Sequence, residues 1–183
     1  MTPAPRLVLL NGPPGAGKTT VAGALKARFS GSARLAVLEH DDFAVMAGAP
    51  AEGEASVRTW TSSLHALCSA ARVYVDEAWS VLVVVNYGRA RKTLLERLLD
   101  PVPVRHVLLL PPWSVSRDRA LERVSAASSS ALPFIGSDAH RRFHEDLRLM
   151  AREGQFDEVI DPAESGVQLT CALLSHHLGL VHP

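Results

Sequence analysis

Gly12-Pro13-Pro14-Gly15-Ala16-Gly17-Lys18-Thr19 is the stretch of sequence that decides the fold of this chain. It fits the pattern of Gly, four free positions, Gly, Lys and then Ser or Thr that is typical of a phosphate-binding loop. The short apolar run at residues 6–11 precedes it and is typical of a buried parallel strand. Residues 20–29 follow it with apolar side chains at helical spacing. The loop therefore has the preceding strand and the following helix that it requires.

The residue types in the loop suit the binding of a nucleotide triphosphate. Glycines let the backbone adopt unusual dihedral angles and bring several N–H donors close to the phosphates. The helix that begins near Lys18 directs its unpaired N–H groups and the positive end of its dipole toward the same anion. Lys18 can reach the β- and γ-phosphates, and the Thr19 hydroxyl can ligate Mg²⁺. The predicted cofactors are ATP and Mg²⁺, and the predicted nucleotide-binding residues are Gly12, Pro13, Pro14, Gly15, Ala16, Gly17, Lys18, Thr19 and Thr20.

Length and composition indicate one globular domain of 183 residues, 47% hydrophobic and 21% charged, with a formal net charge of +0. This balance does not favour a basic face, so neither nucleic acid nor a membrane surface is expected as a partner. No apolar stretch is long enough for a membrane span, and the first predicted strand starts too near Met1 for a signal peptide. Cys68 and Cys171 are interpreted as separate buried residues of a cytoplasmic protein. The oligomeric state is not indicated.

Alternating apolar and amphipathic segments predict an α/β fold, in which a mostly parallel sheet of about five strands lies between two layers of helices. Strands are predicted at residues 7–10, 35–38, 81–85, 106–110 and 158–160. Helices are predicted at residues 18–29, 54–80, 90–99, 114–127, 138–153 and 166–178. Two segments rich in small and chain-breaking residues, 47–53 and 126–133, are interpreted as covers that close over a substrate or as plain surface loops.

Two neighbouring carboxylates follow the second predicted strand. In a doubly wound sheet, ligands bind beyond the carboxyl ends of the strands, where the phosphate-binding loop also lies. Asp41 and Asp42 are therefore predicted to serve the chemistry at the γ-phosphate. One can accept a proton from an acceptor hydroxyl, while the other orients that hydroxyl or ligates metal-bound water. The alternative is that either residue only caps the turn or helix that follows.

A group of arginines follows the fourth predicted strand. Arg119 and Arg123 are four residues apart and so share one face of the predicted helix. A guanidinium suits phosphate because its planar fork donates hydrogen bonds in pairs and stays charged. Phosphoryl transfer needs such positive charge near the moving group. The alternative is a solvated helix face on which these arginines pair with Asp118 or Glu122.

In this order along the chain, these segments resemble the small-molecule kinases of the P-loop class. The resemblance is strongest to the chloramphenicol phosphotransferase-like group, and the chain is also similar to gluconate, shikimate and nicotinamide riboside kinases. It rests on residues 11–20, His40-Asp41-Asp42-Phe43, residues 80–85, Leu110-Pro111-Pro112-Trp113 with the two arginines that follow, and residues 156–162. It implies a single P-loop kinase domain over residues 1–183, with a helical lid around residues 113–140.

The resemblance also implies roles for individual residues. The acidic turn carries the family's catalytic base, for which Asp41 is the first choice and Asp42 the second. Arg119 and Arg123 correspond to paired arginines of the lid and are expected to close over the transferred phosphoryl group. With Lys18, these are the residues predicted to act in catalysis.

The chain departs from many P-loop enzymes after the third predicted strand, where Asn86 stands in place of an acidic residue that supports Mg²⁺. An amide oxygen is a poorer ligand for a hard cation than a carboxylate. Metal binding is therefore predicted for Thr19 and Asp41, with support from Asp42. Trp60, on the long predicted helix, is interpreted either as a surface on which a ring or sugar of the acceptor stacks or as a core or interface residue.

Together these features predict an ATP-dependent phosphotransferase that acts on a hydroxyl of a small molecule, with antibiotics among the candidate acceptors. One alternative is a nucleoside or nucleotide kinase. Another is a nucleotide-binding protein, similar to tunicamycin-resistance proteins, that acts by binding a drug. A polynucleotide kinase is least favoured because the balanced charge offers no basic track. The acceptor itself is not identified by the sequence.

Overall fold

The computed structural model describes residues 6–48, 54–126 and 134–180. The strands of the described residues are β1 (Leu7–Asn11), β2 (Leu35–Glu39), β3 (Ser80–Val84), β4 (Val104–Leu109) and β5 (Glu158–Ile160). They form one sheet in the order β2-β3-β1-β4-β5, and all four neighbouring pairs are parallel. The predicted α/β fold with a parallel sheet of about five strands is confirmed.

Helices connect the strands and cover both faces of the sheet. Those of the described residues are α1 (Lys18–Arg28), α2 (His40–Met46), α3 (Glu54–Asp76), α4 (Arg89–Leu99), α5 (Trp113–Ala126), α6 (Asp138–Arg152) and α7 (Pro162–His177). α1 and α7 pack on one face, and α3, α4 and α6 on the other. Within these same stretches of chain, no helix is both long and apolar enough to cross a bilayer.

The central strand β1 shows why three layers form. Leu7 and Leu9 are buried against α3 and α4, whereas Val8 and Leu10 are buried against α1 and α7. Burying one such side chain fully contributes about 1.5–3 kcal/mol relative to leaving it exposed. A strand that is apolar on both faces is therefore stable only when helices cover both sides of the sheet.

The long helix α3 ends at Asp76, whereas the sequence predicts a helix to residue 80. Ala78 takes a left-handed conformation with φ of 61°, which interrupts helical geometry. Ser80 is already the first residue of β3 and pairs with Leu35 in the sheet. Pairing with the sheet overrides the helical pattern at this end of the segment.

The last helix begins four residues before the predicted start. Asp161 caps it, because the backbone N–H of Ala163 donates a hydrogen bond of 2.8 Å to Asp161 Oδ1. Pro162 occupies the first helical position, where its missing N–H and its restricted φ are tolerated. Gly166, the predicted start, instead forms a kink inside α7 with φ of 66°.

The topology places a crevice beside the phosphate-binding loop. The chain passes from β3 on one side of β1 to β4 on the other, and at such a switch point the carboxyl ends of neighbouring strands leave room for a ligand. The segment predicted as a lid, around residues 113–140, contains α5 and the beginning of α6. Residues 49–53 and 127–133, which make up most of the two predicted covers, lie outside the described residues.

Candidate functional site

The loop between β1 and α1 owes its shape to two glycines. Gly17 precedes α1 with φ of 89°, a left-handed conformation that glycine adopts without strain. Gly15 lies so close to α5 that a Cβ atom there would be 2.0 Å from the carbonyl oxygen of Ser116. Ser116 Oγ in turn donates a hydrogen bond of 2.6 Å to the carbonyl oxygen of Pro14. The loop is therefore held between its own helix and α5.

Asn11 ties the start of the loop to the segment that follows β3. Its Nδ2 donates to the carbonyl oxygen of Tyr87 at 2.8 Å. Its Oδ1 accepts from the backbone N–H groups of Gly12 at 2.8 Å and Tyr87 at 3.2 Å. The side chain is fully buried, so these hydrogen bonds form away from competing water. Asn11 is not among the predicted site residues, and its position at the junction of strand and loop is the one signal for this role.

Lys18 opens α1 with its ammonium group folded over the loop. Its Nζ donates to the carbonyl oxygens of Gly12 at 2.7 Å and Pro13 at 3.2 Å. Burial lowers the pKa of Lys18 to about 8, and the nearby Asp41 carboxylate opposes that shift. Charged phosphate oxygens are stronger acceptors than carbonyl groups, so the ammonium is placed to transfer its hydrogen bonds to a phosphate at the loop.

Glu39, the last residue of β2, is a candidate site residue that the sequence reasoning missed. Thr19 Oγ1 donates a hydrogen bond of 2.9 Å to Glu39 Oε2, so the loop hydroxyl and this carboxylate stand side by side. They offer two adjacent oxygen atoms of the type that Mg²⁺ accepts as ligands. The signal in the sequence is the position of Glu39 at the carboxyl end of a strand, two residues before Asp41.

The predicted acidic pair lies in the first turn of α2, and the structure separates its two members. Asp41 lines a cavity that Lys18 also lines, whereas Asp42 does not. The cause is helical geometry, because successive residues of an α-helix point about 100° apart. His40, just before the pair, is buried and places its Nε2 2.9 Å from Ser63 Oγ, which attaches α2 to α3.

The two predicted lid arginines extend from α5 toward the loop. Arg119 and Arg123 line the same cavity, and Arg123 is close enough to add a smaller downward effect to the pKa of Lys18, after burial. In residues 6–48, 57–125 and 134–180, no carboxylate lies within ion-pair distance of either guanidinium. Arg117 instead pairs with Asp118 at 2.7 Å. Arg117 therefore has the ion pair of that alternative, whereas Arg119 and Arg123, which are also exposed, have no such partner among the described side chains.

One cavity of about 1120 Å³ brings these groups together at the carboxyl edge of the sheet. The loop and α5 contribute Pro14, Gly15, Gly17, Lys18, Thr19, Thr20, Arg119 and Arg123 to its lining. Of the other predicted nucleotide-binding residues, Gly12, Pro13 and Ala16 are buried and do not line it. Asn86 also lines the cavity, and its buried Oδ1 has no hydrogen-bond partner among the residues that the structure describes. A phosphate group at the loop would therefore lie in the same cavity as Asp41, Arg119 and Arg123.

Comparison with known proteins identifies the family. Residues 7–147 match the family described as the AAA domain, and the chain belongs to this family. The match extends from β1 through the phosphate-binding loop and α5 into α6. No curated protein sequence shows a significant match to the chain.

Several solved structures share the fold over nearly the whole chain. The tunicamycin resistance protein of Deinococcus radiodurans has a TM-score of 0.67 and 21% identity, over 96% of this chain and 97% of that one. A sugar kinase from Janibacter sp. HTCC2649 has a TM-score of 0.59 and 20% identity, over 97% and 99%. Shikimate kinase from Acinetobacter baumannii has a TM-score of 0.61 and 17% identity, over 97% and 97%. At these identities the similarity is one of fold, and it confirms the predicted resemblance to P-loop small-molecule kinases.

Proposed function

We propose that this protein is an ATP-dependent phosphotransferase that moves the γ-phosphate of ATP to a hydroxyl of a small molecule. The observation that carries the proposal is the composition of a single cavity. A phosphate-binding lysine, a carboxylate and two arginines without carboxylate partners in the described chain all line it: Lys18, Asp41, Arg119 and Arg123. Transfer of a phosphoryl group needs these three kinds of charged group around the reacting atoms.

In this proposal, the loop and Lys18 bind the phosphates of ATP. The backbone N–H groups at the start of α1 point toward the anion, and the Lys18 ammonium exchanges its two carbonyl acceptors for phosphate oxygens. Asp41 takes the proton from the hydroxyl group of the acceptor molecule. At the same time, the oxygen of that hydroxyl group bonds to the γ-phosphorus. The bond from that phosphorus to ADP breaks, and ADP leaves with the electron pair.

Mg²⁺ fits the oxygen donors at the loop. Thr19 Oγ1 and Glu39 Oε2 are 2.9 Å apart, and Asp41 is close enough to Lys18 to affect its pKa. The sequence predicts Thr19 and Asp41 for this ion, and we add Glu39, so that Thr19 and Glu39 would hold it, directly or through its water, with Asp41 as a further carboxylate. When bound, Mg²⁺ would neutralise charge on the β- and γ-phosphates. Glu39 thus supplies a carboxylate at the site although Asn86 follows β3.

Glu39→Gln is expected to raise the Mg²⁺ concentration needed for half-maximal activity by about tenfold, the usual lower range for a weakened metal site. Gln keeps the hydrogen bond from Thr19 but removes the negative charge. The measurement is a Mg²⁺ titration of phosphoryl transfer at saturating ATP. Glu122→Gln, a change of the same type on the exposed surface of α5, should leave the titration unchanged. An unaltered Mg²⁺ requirement in the Glu39 variant would remove this residue from the metal site.

Arg119→Ala and Arg123→Ala should each lower kcat more than they weaken ATP binding. Their charge helps most when negative charge develops on the moving phosphoryl group, and loss of one such donor costs about 10²-fold. Steady-state kinetics and nucleotide titration would measure the two effects separately. Arg117→Ala is the matched control on the same helix, because Arg117 is paired with Asp118. Turnover equal to that of the unchanged protein in all three variants would show that Arg119 and Arg123 do not take part in transfer.

The proposed function is tested by incubating the protein with ATP, Mg²⁺ and a panel of aminoglycoside, phenicol, nucleoside and sugar acceptors. A product heavier than the acceptor by about 80 Da, one phosphoryl group in place of hydrogen, would identify the acceptor class. Binding of a drug without a phosphorylated product would instead favour a nucleotide-binding protein that sequesters the drug. That alternative is supported by the shared fold with the tunicamycin resistance protein.

A further inference from the structure

Part of the cavity wall is hydrophobic. It is contributed by α2, α3 and the region of α6, and includes Ala44, Val45, Trp60, Phe134 and Phe143. Phe134 and Phe143 contact each other with ring centroids 6.5 Å apart, and Trp60 meets the ring of His40 edge-on at 4.7 Å. Such a wall favours a planar apolar ring over a molecule that carries hydroxyl groups on every side.

A cation stands beside this wall. The guanidinium carbon of Arg91, in the first turn of α4, lies 5.9 Å from the centroid of the Trp60 ring. Its Nη1 donates only a long hydrogen bond of 3.5 Å, to the carbonyl oxygen of Asn86. Among the side chains that the structure describes, no carboxylate lies within ion-pair distance of Arg91. The neighbouring Arg89 differs, because it forms an ion pair with Glu153.

Arg91 is a further cation in the cavity that Lys18, Arg119 and Arg123 also line. Glu39, Asp41 and Arg123 all act on the pKa of Lys18, whereas Arg91 does not. Asp41 and Arg91 both act on His40, whose pKa is lowered chiefly by burial. The cavity therefore has a positive group next to the aromatic side chain of Trp60.

We propose that the acceptor is a planar, aromatic hydroxy compound that carries an oxyanion, either a carboxylate or a phosphate. The inference rests on the proposed function and specifies its substrate class. The ring stacks against Trp60, the oxyanion binds the guanidinium of Arg91, and the hydroxyl lies toward Asp41. A guanidinium recognises carboxylate and phosphate by the same paired hydrogen bonds, so both sources of the oxyanion remain in the test.

The test compares matched probes by calorimetry, in the presence of Mg²⁺ and a non-hydrolysable ATP analogue. The probes are para-(hydroxymethyl)benzoate, para-(hydroxymethyl)phenyl phosphate and the neutral methyl ester of the benzoate. At least one anion should bind about tenfold more tightly than the ester, the gain expected from one charge-assisted contact. The tighter anion identifies the source of the oxyanion. Equal binding of all three probes, or binding of none, overturns the proposal.

Variants test whether Arg91 and Trp60 cause the preference for an anionic probe over the neutral ester. Arg91→Gln should abolish the preference for the anion, while Arg97→Gln, an exposed change on the same helix outside the cavity, should preserve it. Trp60→Leu should weaken all three probes, because it removes the ring that they share. Thermal unfolding would verify that each variant is folded. A preference that survives in the Arg91 variant overturns the proposal.

Turnover distinguishes failure of this inference from failure of the proposed function. Phosphorylated product from the neutral ester at the rate of the anions would leave the kinase activity standing and overturn the assignment to Arg91. Preferential binding of an anion without phosphorylated product from it, or from any acceptor of the panel above, would support the Arg91 site and contradict the kinase activity.

Discussion

Replacing Lys18 with Ala is expected to lower phosphoryl transfer by about 10³-fold, with a marked loss of ATP affinity. Lys18 is the cation that the structure holds directly over the phosphate-binding loop, through hydrogen bonds to Gly12 and Pro13. Its side chain is not part of the apolar clusters that cover the sheet, so the variant should fold. Lys26→Ala, an exposed change on the same helix, is the matched control. Ordinary ATP affinity and turnover in the Lys18 variant would contradict the assigned role of the loop.

The lowered pKa of Lys18 adds a second signature to this prediction. Without nucleotide the pKa is about 8, because burial disfavours the charged form, and bound phosphates should raise it. The complex then holds more protons than the free protein, so ATP binds most tightly below about pH 8 and more weakly as the pH rises above it. Calorimetry in buffers of different ionisation enthalpy would detect the proton uptake. Proton uptake on ATP binding should be absent in the Lys18→Ala variant. If this variant still takes up a proton, another group is responsible.

Asp41→Asn should lower transfer by about 10²-fold or more, the usual effect of losing a positioned general base. Asn keeps the size and much of the hydrogen bonding of Asp, but it cannot accept the proton of the acceptor hydroxyl. Nucleotide binding should survive, because the loop and Lys18 are unchanged. The measurements are the rate of product formation and the dissociation constant of ATP.

Asp42→Asn is the natural control for the base, since Asp42 is the next residue and does not line the cavity. Its effect on transfer should be much smaller. The reverse ranking would move the base to Asp42 and would require α2 to turn in the complex with substrate. Near-normal transfer in both variants and in the double variant would remove the acidic pair from the mechanism.

The predictions that hold depend on short-range sequence patterns. The loop could be recognised because its glycines, lysine and threonine all lie within residues 12–19, and because each flanking segment shows its own periodicity. The parallel sheet could be recognised because a buried parallel strand is apolar on both faces, as in residues 7–10. Asp41 and the two lid arginines could be placed near the loop, since the carboxyl ends of parallel strands meet at one edge of the sheet. Their roles in catalysis stay predictions.

The contact between Thr19 and Glu39 is one that short-range sequence patterns do not predict. The two residues belong to segments that are not neighbours in the sheet, because β3 lies between β1 and β2. The order of strands had to be known before the Glu39 carboxylate could be placed beside the loop hydroxyl.

The separation of Asp41 from Asp42 has a different cause. Both follow a strand, and only the helical turn of α2 decides which one faces the cavity.

The sequence by itself determined the motif of a phosphate-binding loop, the class of fold and the edge of the sheet at which ligand binding is predicted. These features follow from local backbone preferences and from the burial of apolar side chains, which act over a few neighbouring residues. Only the tertiary structure decided which polar groups meet there. Ser116 forms a hydrogen bond with Pro14, 102 residues away in the sequence, and Asn11 forms one with Tyr87, 76 residues away. Such contacts depend on strand order and helix packing, which no local pattern encodes, and they determine the charge and shape of the cavity.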